Sequence, residues 1–388
     1  MNNAGNTSQK RRITMVVSND LLTDQRVQRS CDTLFEAGYD VTLIGRAWPD
    51  NTPLKKKYKT CKMRLLFKRG ASFYAELNVR LFLKLLFSNA DLFYANDTDT
   101  LLAVALAARL RRKPFVFDGH ELFPDVPELV DKPMVRKVWQ CVERRFIAKA
   151  AVRITVNQGV ADEYERRYGV SFGVVRNLSS ILDSEASVSP TSPEFDFHDS
   201  KVLLYQGAVN KGRCVKELID AMEYLPDCRL VVVGSGDIKD EMQRYAGGKS
   251  YAGRISFTGR MMPDDLRRLT SQAALGFCIM QNMGLNYYLS LPNRISDYAV
   301  AGIPVLASDF PEIRRVVEEY GLGTLVAENT VANPQGLASV VRATLAQWQS
   351  MAGEERSARF ARAKAELTWE SEKKLLVGYV DKAIGCRH

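Results

Sequence analysis

The sequence predicts an α/β protein of two doubly wound domains, and three observations carry that expectation. Short apolar runs alternate with helical stretches along nearly the whole chain, the rhythm of parallel sheets covered on both faces. The rhythm breaks once, between Leu178 and Ser200, where Ser, Pro, Asp and Glu dominate as in an interdomain linker. At 388 residues the chain is also long for one hydrophobic core and typical of two.

The first series opens with the apolar run Ile13 to Val17. The helix Asp24 to Ala37 follows, closed by Gly38, and Tyr39 to Ile44 is the next strand. Ser72 to Ala90 has helical spacing, with Leu77, Leu81 and Leu85 on one line. Ala90 to Ala95 reads as a strand, Thr98 to Leu110 as a helix, and Pro114 to Phe117 as a strand. Pro133 to Ala150 is a long helix; Ala151 to Val156 is a strand feeding the helix Gln158 to Tyr168; Val174 to Asn177 closes the series. After Lys201 the strands are Val202 to Tyr205, Leu230 to Val233, Ile255 to Phe257, Ala274 to Ile279 and Ile303 to Ala307, with helices between. Trp369 to Ile384 is one amphipathic helix. The expected boundaries are a first domain over 1–178, a linker over 179–200, a second domain over 201–368 and a terminal helix over 369–388.

Composition narrows the class. Hydrophobic residues make up 46% and charged residues 26%, as in an ordered globule. No apolar run approaches the roughly 18 residues of a membrane span, and Lys10-Arg-Arg12 precedes a short strand, not a signal-peptide core. The expected location is cytoplasmic. Seven scattered cysteines without a Cys-x-x-Cys pair fit reduced thiols, and three histidines, at 120, 198 and 388, give no local metal motif. No metal and no cofactor is expected. The net charge of +9 is concentrated: eight basic residues and no acid lie between Lys55 and Arg69, interleaved with Tyr58, Leu66 and Phe67. With the helix that follows, residues 55–87 suit either an anionic membrane surface, which would be the inner face of the plasma membrane for a cytoplasmic protein, or a solvated edge beside an ordinary core-facing helix. No helix-turn-helix, RRM or KH signature accompanies the charge, so nucleic acid is not expected.

Four segments carry candidate chemistry. In Gly284-Leu-Asn-Tyr-Tyr-Leu-Ser-Leu-Pro-Asn-Arg-Ile-Ser-Asp-Tyr-Ala-Val-Ala-Gly-Ile-Pro-Val-Leu-Ala-Ser-Asp309 a polar loop feeds a short helix and then a strand. Pro292 suits a first helical position and Gly302 the left-handed stop. Free N–H groups at such an N-terminus seat phosphate, and Asp297 lies one turn inside, where a carboxylate accepts from sugar hydroxyls. Tyr205-Gln-Gly-Ala-Val-Asn-Lys-Gly-Arg-Cys214 misses the P-loop, with Arg213 and Cys214 where Lys and Ser/Thr belong. Its glycines still let backbone N–H groups approach a diphosphate, with Lys211 and Arg213 supplying charge. Gly234-Ser-Gly236 lacks the third glycine of a dinucleotide fingerprint. Phe117-Asp-Gly-His-Glu-Leu-Phe-Pro-Asp125 places His120 at a strand end, among Asp118, Glu121 and Asp125. Asn19, Asp20 and Arg26 occupy the first strand–helix loop region and Asp97 the third, where Asp97 equally suits a helix cap.

The 284–309 segment resembles the donor-site signature of GT-B glycosyltransferases of family 4, in the subgroup with Ser-Leu-Pro-Asn-Lys/Arg, Glu/Asp-Tyr and Ala-Gly-x-Pro-Val. The resemblance implies the GT-B layout: two Rossmann-like domains facing across a cleft, with the C-terminal helix crossing back to the first. It implies a retaining, metal-independent transfer from a nucleotide-sugar, a UDP- or GDP-sugar, to a glycan or lipid-linked acceptor in cell-surface polysaccharide or lipopolysaccharide assembly. Arg213 falls where family members carry the lysine that stabilises the leaving diphosphate, with Lys211 its close alternate, and His120 falls where they carry a histidine near the donor sugar. Asp297 would hold the ribose; Asn286, Ser290 and Asn293 would touch sugar or phosphate. The glycine turns at Gly207, Gly234 and Gly259, with Arg260, would line the nucleotide. Asn19, Asp20, Arg26 and Asp97 would lie on the acceptor or diphosphate side. One departure stands out: the first of the family's two glutamates falls on Leu289. No acid occurs between Arg267 and Ser296, so no carboxylate nucleophile comes from that loop. Two other classes share the layout, a non-hydrolysing sugar-nucleotide epimerase, for which three histidines are thin support, and a catalytically inactive binding subunit.

Overall fold

The computed structural model of the protein describes residues 10–21, 24–46, 56–180 and 201–386. The chain forms two compact units, Met1–Arg176 with Glu372–His388, and Asn177–Ser371. Most of the 179–200 linker, from residue 181 onward, lies outside the described residues.

The first unit is built on seven strands: β1 (Arg12–Asp20), β2 (Asp40–Arg46), β3 (Lys59–Met63), β4 (Leu92–Asn96), β5 (Phe115–Gly119), β6 (Val152–Thr155) and β7 (Gly173–Val174). All pair parallel, in the order β3-β2-β1-β4-β5-β6-β7. The connecting helices are α1 (Gln25–Glu36), α2 (Gly70–Leu86), α3 (Thr98–Arg111), α4 (Pro133–Phe146) and α5 (Gln158–Tyr168). Every residue of β4 and β5 is buried, as expected of strands covered on both faces.

The second unit repeats the plan with β8 (Lys201–Gln206), β9 (Cys228–Val233), β10 (Ile255–Gly259), β11 (Leu275–Cys278), β12 (Val305–Ser308) and β13 (Gly323–Val326), ordered β10-β9-β8-β11-β12-β13. Its helices are α6 (Val215–Ala221), α7 (Lys239–Gly247), α8 (Pro263–Gln272), α9 (Leu285–Tyr288), α10 (Arg294–Ala301), α11 (Pro311–Tyr320), α12 (Glu328–Val331), α13 (Pro334–Ser350) and α14 (Gly353–Glu366). Two apolar clusters flank this sheet, one around Leu203, Leu230 and Leu337, the other around Leu204, Val305 and Ile313.

The last helix, α15 (Trp369–Gly385), belongs from Glu372 onward to the first unit. The Arg176 backbone N–H and Nε donate to Glu372 at 2.8 and 2.7 Å, the Tyr39 hydroxyl donates to Asp381, and the Tyr379 ring fills the space beside Gly173. Both sheets change winding direction once, between β1 and β4 and between β8 and β11. Such switch points open a crevice at the C-terminal strand ends, where α/β proteins bind ligands.

Several boundaries depart from the sequence reading. β3 forms inside the basic stretch; as an edge strand with one buried residue it shows no apolar run. β13 was likewise without a strong pattern, with three of its four residues only partly buried. The helix from Pro133 ends at Phe146 and passes into a single tight turn over Ile147–Lys149. β7 covers Gly173–Val174, not Val174 to Asn177. Pro292 stands before α10, not at its first position, because the Ile295 N–H donates back to the Pro292 carbonyl at 3.1 Å in a preceding turn. Gly302 does close α10 in the left-handed region, at φ 75°.

Candidate active site

Two groups of residues gather at the switch points, one in each unit. In the first unit, β1 and β4 end side by side and leave a cavity of about 290 Å³. Ser18, Asn19 and Asp24 line it from the β1 end, Asn96, Asp97 and Asp99 from the β4 end, and His120 and Glu121 from the β5 end. Asp24 caps α1, accepting from the Val27 N–H at 3.1 Å, and also takes the Asn19 amide at 3.1 Å. Asp97 caps α3, accepting from the Thr98 N–H at 3.1 Å, and does so at φ 68°, a strained conformation for a residue with a side chain. Asp20 ends β1, and its side chain lies outside the described residues.

His120 lies 3.6 Å from Asp118, a buried carboxylate that also accepts from Arg26 at 2.7 Å and from the Tyr94 hydroxyl at 2.8 Å. Burial alone would lower the imidazole pKa; Asp118, and behind it Asp97, outweigh burial and hold it up at about 9. Burial opposes the charge of Asp118 too, but Arg26 and His120 keep its carboxyl well below the usual range. Burial pushes Asp99 up to about 7, against a hydrogen bond from Ser18, and raises Asp97 as well. The histidine is thus a held cation among carboxylates of unequal acidity.

Two expectations need correction here. Arg26 is only 3% exposed, with its guanidinium given to Asp118 and, at 2.9 Å, to the Val175 carbonyl. It is an inner counter-ion, not a cation presented to a ligand. Asp125 does not serve His120: its carboxylate pairs with Arg136 and, at 2.5 Å, with Arg167.

In the second unit the turns after β8, β9 and β10 are stitched together. The Gly207 N–H donates to the Val233 carbonyl at 2.9 Å, and the Gly234 N–H to the Gly259 carbonyl at 2.8 Å. Glycine is required at 234: its φ is 141°, and a Cβ would lie 1.8 Å from the Gly207 carbonyl oxygen. Lys211 and Arg260 are exposed beside these turns. Arg213 is half-buried; it donates to the Met280 sulfur at 2.7 Å and stacks 4.5 Å above the Tyr287 ring. The loop before α10 closes the other side. Ser290 turns its hydroxyl to the Tyr287 carbonyl at 2.8 Å, Asn293 starts α10, and Asn286 is buried within α9. Leu289 ends α9. Asp297 is engaged within the unit, accepting from Gln206 at 2.7 Å and from the Ser179 hydroxyl.

The sequence reading assigned no role to Arg294, the last residue of the Ser-Leu-Pro-Asn-Arg run. It is 7% exposed, stacks 4.7 Å from the Tyr205 ring, and places its guanidinium 3.4 Å from where a Gly207 Cβ would stand. Its Nη1 is buried without a hydrogen-bond partner, and no carboxylate pairs with it among the described residues. A buried, unpaired guanidinium behind a glycine turn is costly unless an anion completes it. The signal was present in the sequence, as a cation at the mouth of a helix, but its direction depended on the fold. Among the described residues no group of His, Cys, Asp or Glu stands arranged to hold a metal ion.

Two family models match the chain, one described as glycosyltransferase family 4 over residues 25–177, the other as glycosyl transferases group 1 over residues 192–365. A curated relative, alpha-D-kanosaminyltransferase of Streptomyces kanamyceticus, is 21% identical over 258 residues, 62% of this chain and 61% of that protein. The match therefore spans less than two thirds of the relative's length. Among solved structures, sucrose-phosphate synthase of Thermosynechococcus elongatus superposes with a TM-score of 0.74 at 16% identity, covering 96% of this chain and 99% of that one. The HepE protein of Anabaena, in complex with UDP-glucose, gives 0.73 at 16% identity, covering 95% and 99%. At these identities the structural likeness speaks for the fold, which is GT-B.

Proposed function

The chain belongs to the family 4, group 1 glycosyltransferases, and from that premise we propose that it moves a sugar from a nucleotide-sugar to a glycan or lipid-linked glycan, with retention at the anomeric carbon. The observation that carries this reading is the anion-seeking corner of the second unit: three glycine turns, Arg213, and the unpaired Arg294 at one switch point. A diphosphate satisfies all of them at once. The HepE likeness, solved with UDP-glucose, supports a UDP-sugar as donor.

In the transfer, the bond from the anomeric carbon to the diphosphate oxygen breaks, and that oxygen keeps the electron pair. Arg213, Arg294 and Lys211 stabilise the charge that develops there. The acceptor hydroxyl attacks on the same face, and its proton passes to the departing phosphate oxygen. No acid lies between Arg267 and Ser296, which favours this route over a covalent carboxylate intermediate from that loop. His120, held protonated by Asp118, would hydrogen-bond a sugar oxygen at the switch point of the first unit. Asp297 would reach the nucleotide only by giving up Gln206 or Ser179.

Membrane attachment is part of the same proposal. Among the described residues no helix is long and apolar enough to cross a membrane. Neighbouring helices α2, α3 and α4 nevertheless leave Leu83, Phe87, Leu110, Met134 and Val138 outside, 47, 81, 64, 72 and 59% exposed, among Lys84, Arg109, Lys137 and Arg145. Apolar side chains interleaved with cations fit an anionic lipid surface, where lipid-linked acceptors are presented.

The first test is a thermal-shift panel of UDP, GDP, ADP and their sugar conjugates, run with EDTA. One nucleotide family should raise the midpoint clearly above the others, since a ligand of the native state stabilises it by mass action. A flat panel would sink the donor assignment. Interconversion of free UDP-sugars without acceptor would point to an epimerase instead.

A further inference from the structure

The cavity at the β1–β4 switch point has two chemically opposite ends. Its inner end presents buried acceptors. Asn96 is 1% exposed; its amide N–H donates to the Val16 carbonyl at 2.9 Å, which leaves Oδ1 without a partner. Asp99 is 4% exposed, and its Oδ1 is also without a partner. Orphaned buried acceptors are costly, and a ligand hydroxyl is the donor that would complete them. The outer end carries Arg46, Lys68 and Arg69. Lys68 and Arg69 stand in a loop that is tied down, with Arg46 at the end of β2 beside it: the Glu76 carboxylate accepts from the Leu66 and Phe67 N–H groups at 2.9 and 3.0 Å, and Arg46 lies against the Phe73 ring and donates to the Lys68 carbonyl at 3.4 Å.

We propose that this cavity binds a phosphate-bearing acceptor sugar, its hydroxyls donating to Asn96 and Asp99 and its phosphate facing Arg46, Lys68 and Arg69. Asp24 and Glu121 disfavour a phosphate at the strand-end side, where the His120 cation is already offset by Asp118, so the phosphate is favoured beside Arg46, Lys68 and Arg69. A volume of about 290 Å³ is at the lower edge of the roughly 300–1,000 Å³ of small-molecule pockets, enough for one sugar unit. The inference rests on the sugar-transfer reading above and gives its acceptor a chemical class.

The test uses the full chain saturated with UDP, so that the nucleotide site is closed to competing phosphates. Binding is measured calorimetrically for glucose, galactose, mannose and N-acetylglucosamine, for their 1- and 6-phosphates, for inorganic phosphate, and for a farnesyl-diphosphate-linked sugar. At least one sugar phosphate should bind tenfold or more tighter than its parent sugar. Lys68→Ala/Arg69→Ala, at two exposed positions, should erase that advantage without moving the thermal midpoint. Asp99→Asn should weaken the sugar phosphate tenfold and leave inorganic phosphate unchanged. Preference for the farnesyl-linked sugar assigns a lipid-borne acceptor, and preference for the free sugar phosphate a soluble one; both support the site. Equal binding of sugars and their phosphates, an unaltered double variant, or silence across the panel overturns it. The UDP-induced thermal shift reads the other unit, so its persistence alongside a silent panel would reject this inference alone.

Discussion

Two side chains hold charge for different reasons, and each gives a measurable consequence. Arg213 is kept in place by the Tyr287 ring and the Met280 sulfur, with no carboxylate in either contact. Arg213→Ala should therefore lower turnover by about two orders of magnitude, the scale of losing one group that stabilises developing charge. Unchanged turnover would remove it from the leaving-group side. His120 is raised to about 9 in the folded chain against an unfolded value near 6.5. Its contribution to stability is complete below pH 6.5, fades as pH rises to 9 and is gone above, a change of at most about 3 kcal/mol. Denaturant melts across that range should show the decline in the native chain and a flatter profile in His120→Gln. The strand-end loops mark His120 and Arg213 as candidates in the sequence itself. Arg26 was misread because burial is a property of the fold, and nothing in Asp-Gln-Arg26 says that the guanidinium turns inward to Asp118, 92 residues away. Asn96 and Asp99 became candidates only when the sheet order set β4 beside β1.

Helices α2, α3 and α4 obey a different logic from the core elements around them. α2 buries one face through Leu77, Leu81 and Leu85 and exposes Val79 and Leu83 beside Arg80 and Lys84; α3 is buried nearly all round until its end, where Arg109 and Leu110 are exposed; α4 buries Trp139 and Glu143 and exposes Met134, Val135 and Val138. Such a face is unusual in contact with water alone and explicable beside lipid. Arg80→Glu/Lys84→Glu with Leu83→Ser/Phe87→Ser should abolish co-flotation with vesicles containing phosphatidylglycerol while leaving the thermal midpoint within a few degrees. Equal flotation of the variant, or flotation of the native chain on neutral vesicles alone, would reject the anionic surface. The helical period of α2 could be read from the sequence. The strand β3 before it could not, since Lys-Thr-Cys-Lys-Met63 carries no apolar alternation and forms only because β2 offers it an edge. For the same reason β13, Gly-Thr-Leu-Val326, was invisible without its partner β12.

At the scale of the molecule, the first unit is discontinuous along the chain, completed by residues 372–388. Arg176 meets Glu372 across 196 positions, with the carboxylate 1% exposed. Deleting residues 372–388 leaves Arg176 without that partner and opens the space beside Gly173 that Tyr379 fills. The deletion should cost the first unit a few kcal/mol or more, the scale of breaking a buried pair together with lost packing. Calorimetry should then show the two units melting apart, where loss of the second unit's transition first would contradict the assignment. The alternation of strands and helices foretold two sheets. It could not foretell which sheet claims the last helix, because an amphipathic face does not name its partner. That ownership also sets a schedule for the protein's birth. At about 5–20 residues per second, tens of seconds pass on the ribosome between the emergence of Arg176 and that of Glu372. Throughout that interval the first unit waits with one flank bare, so the opening half of the polypeptide reaches its finished form last.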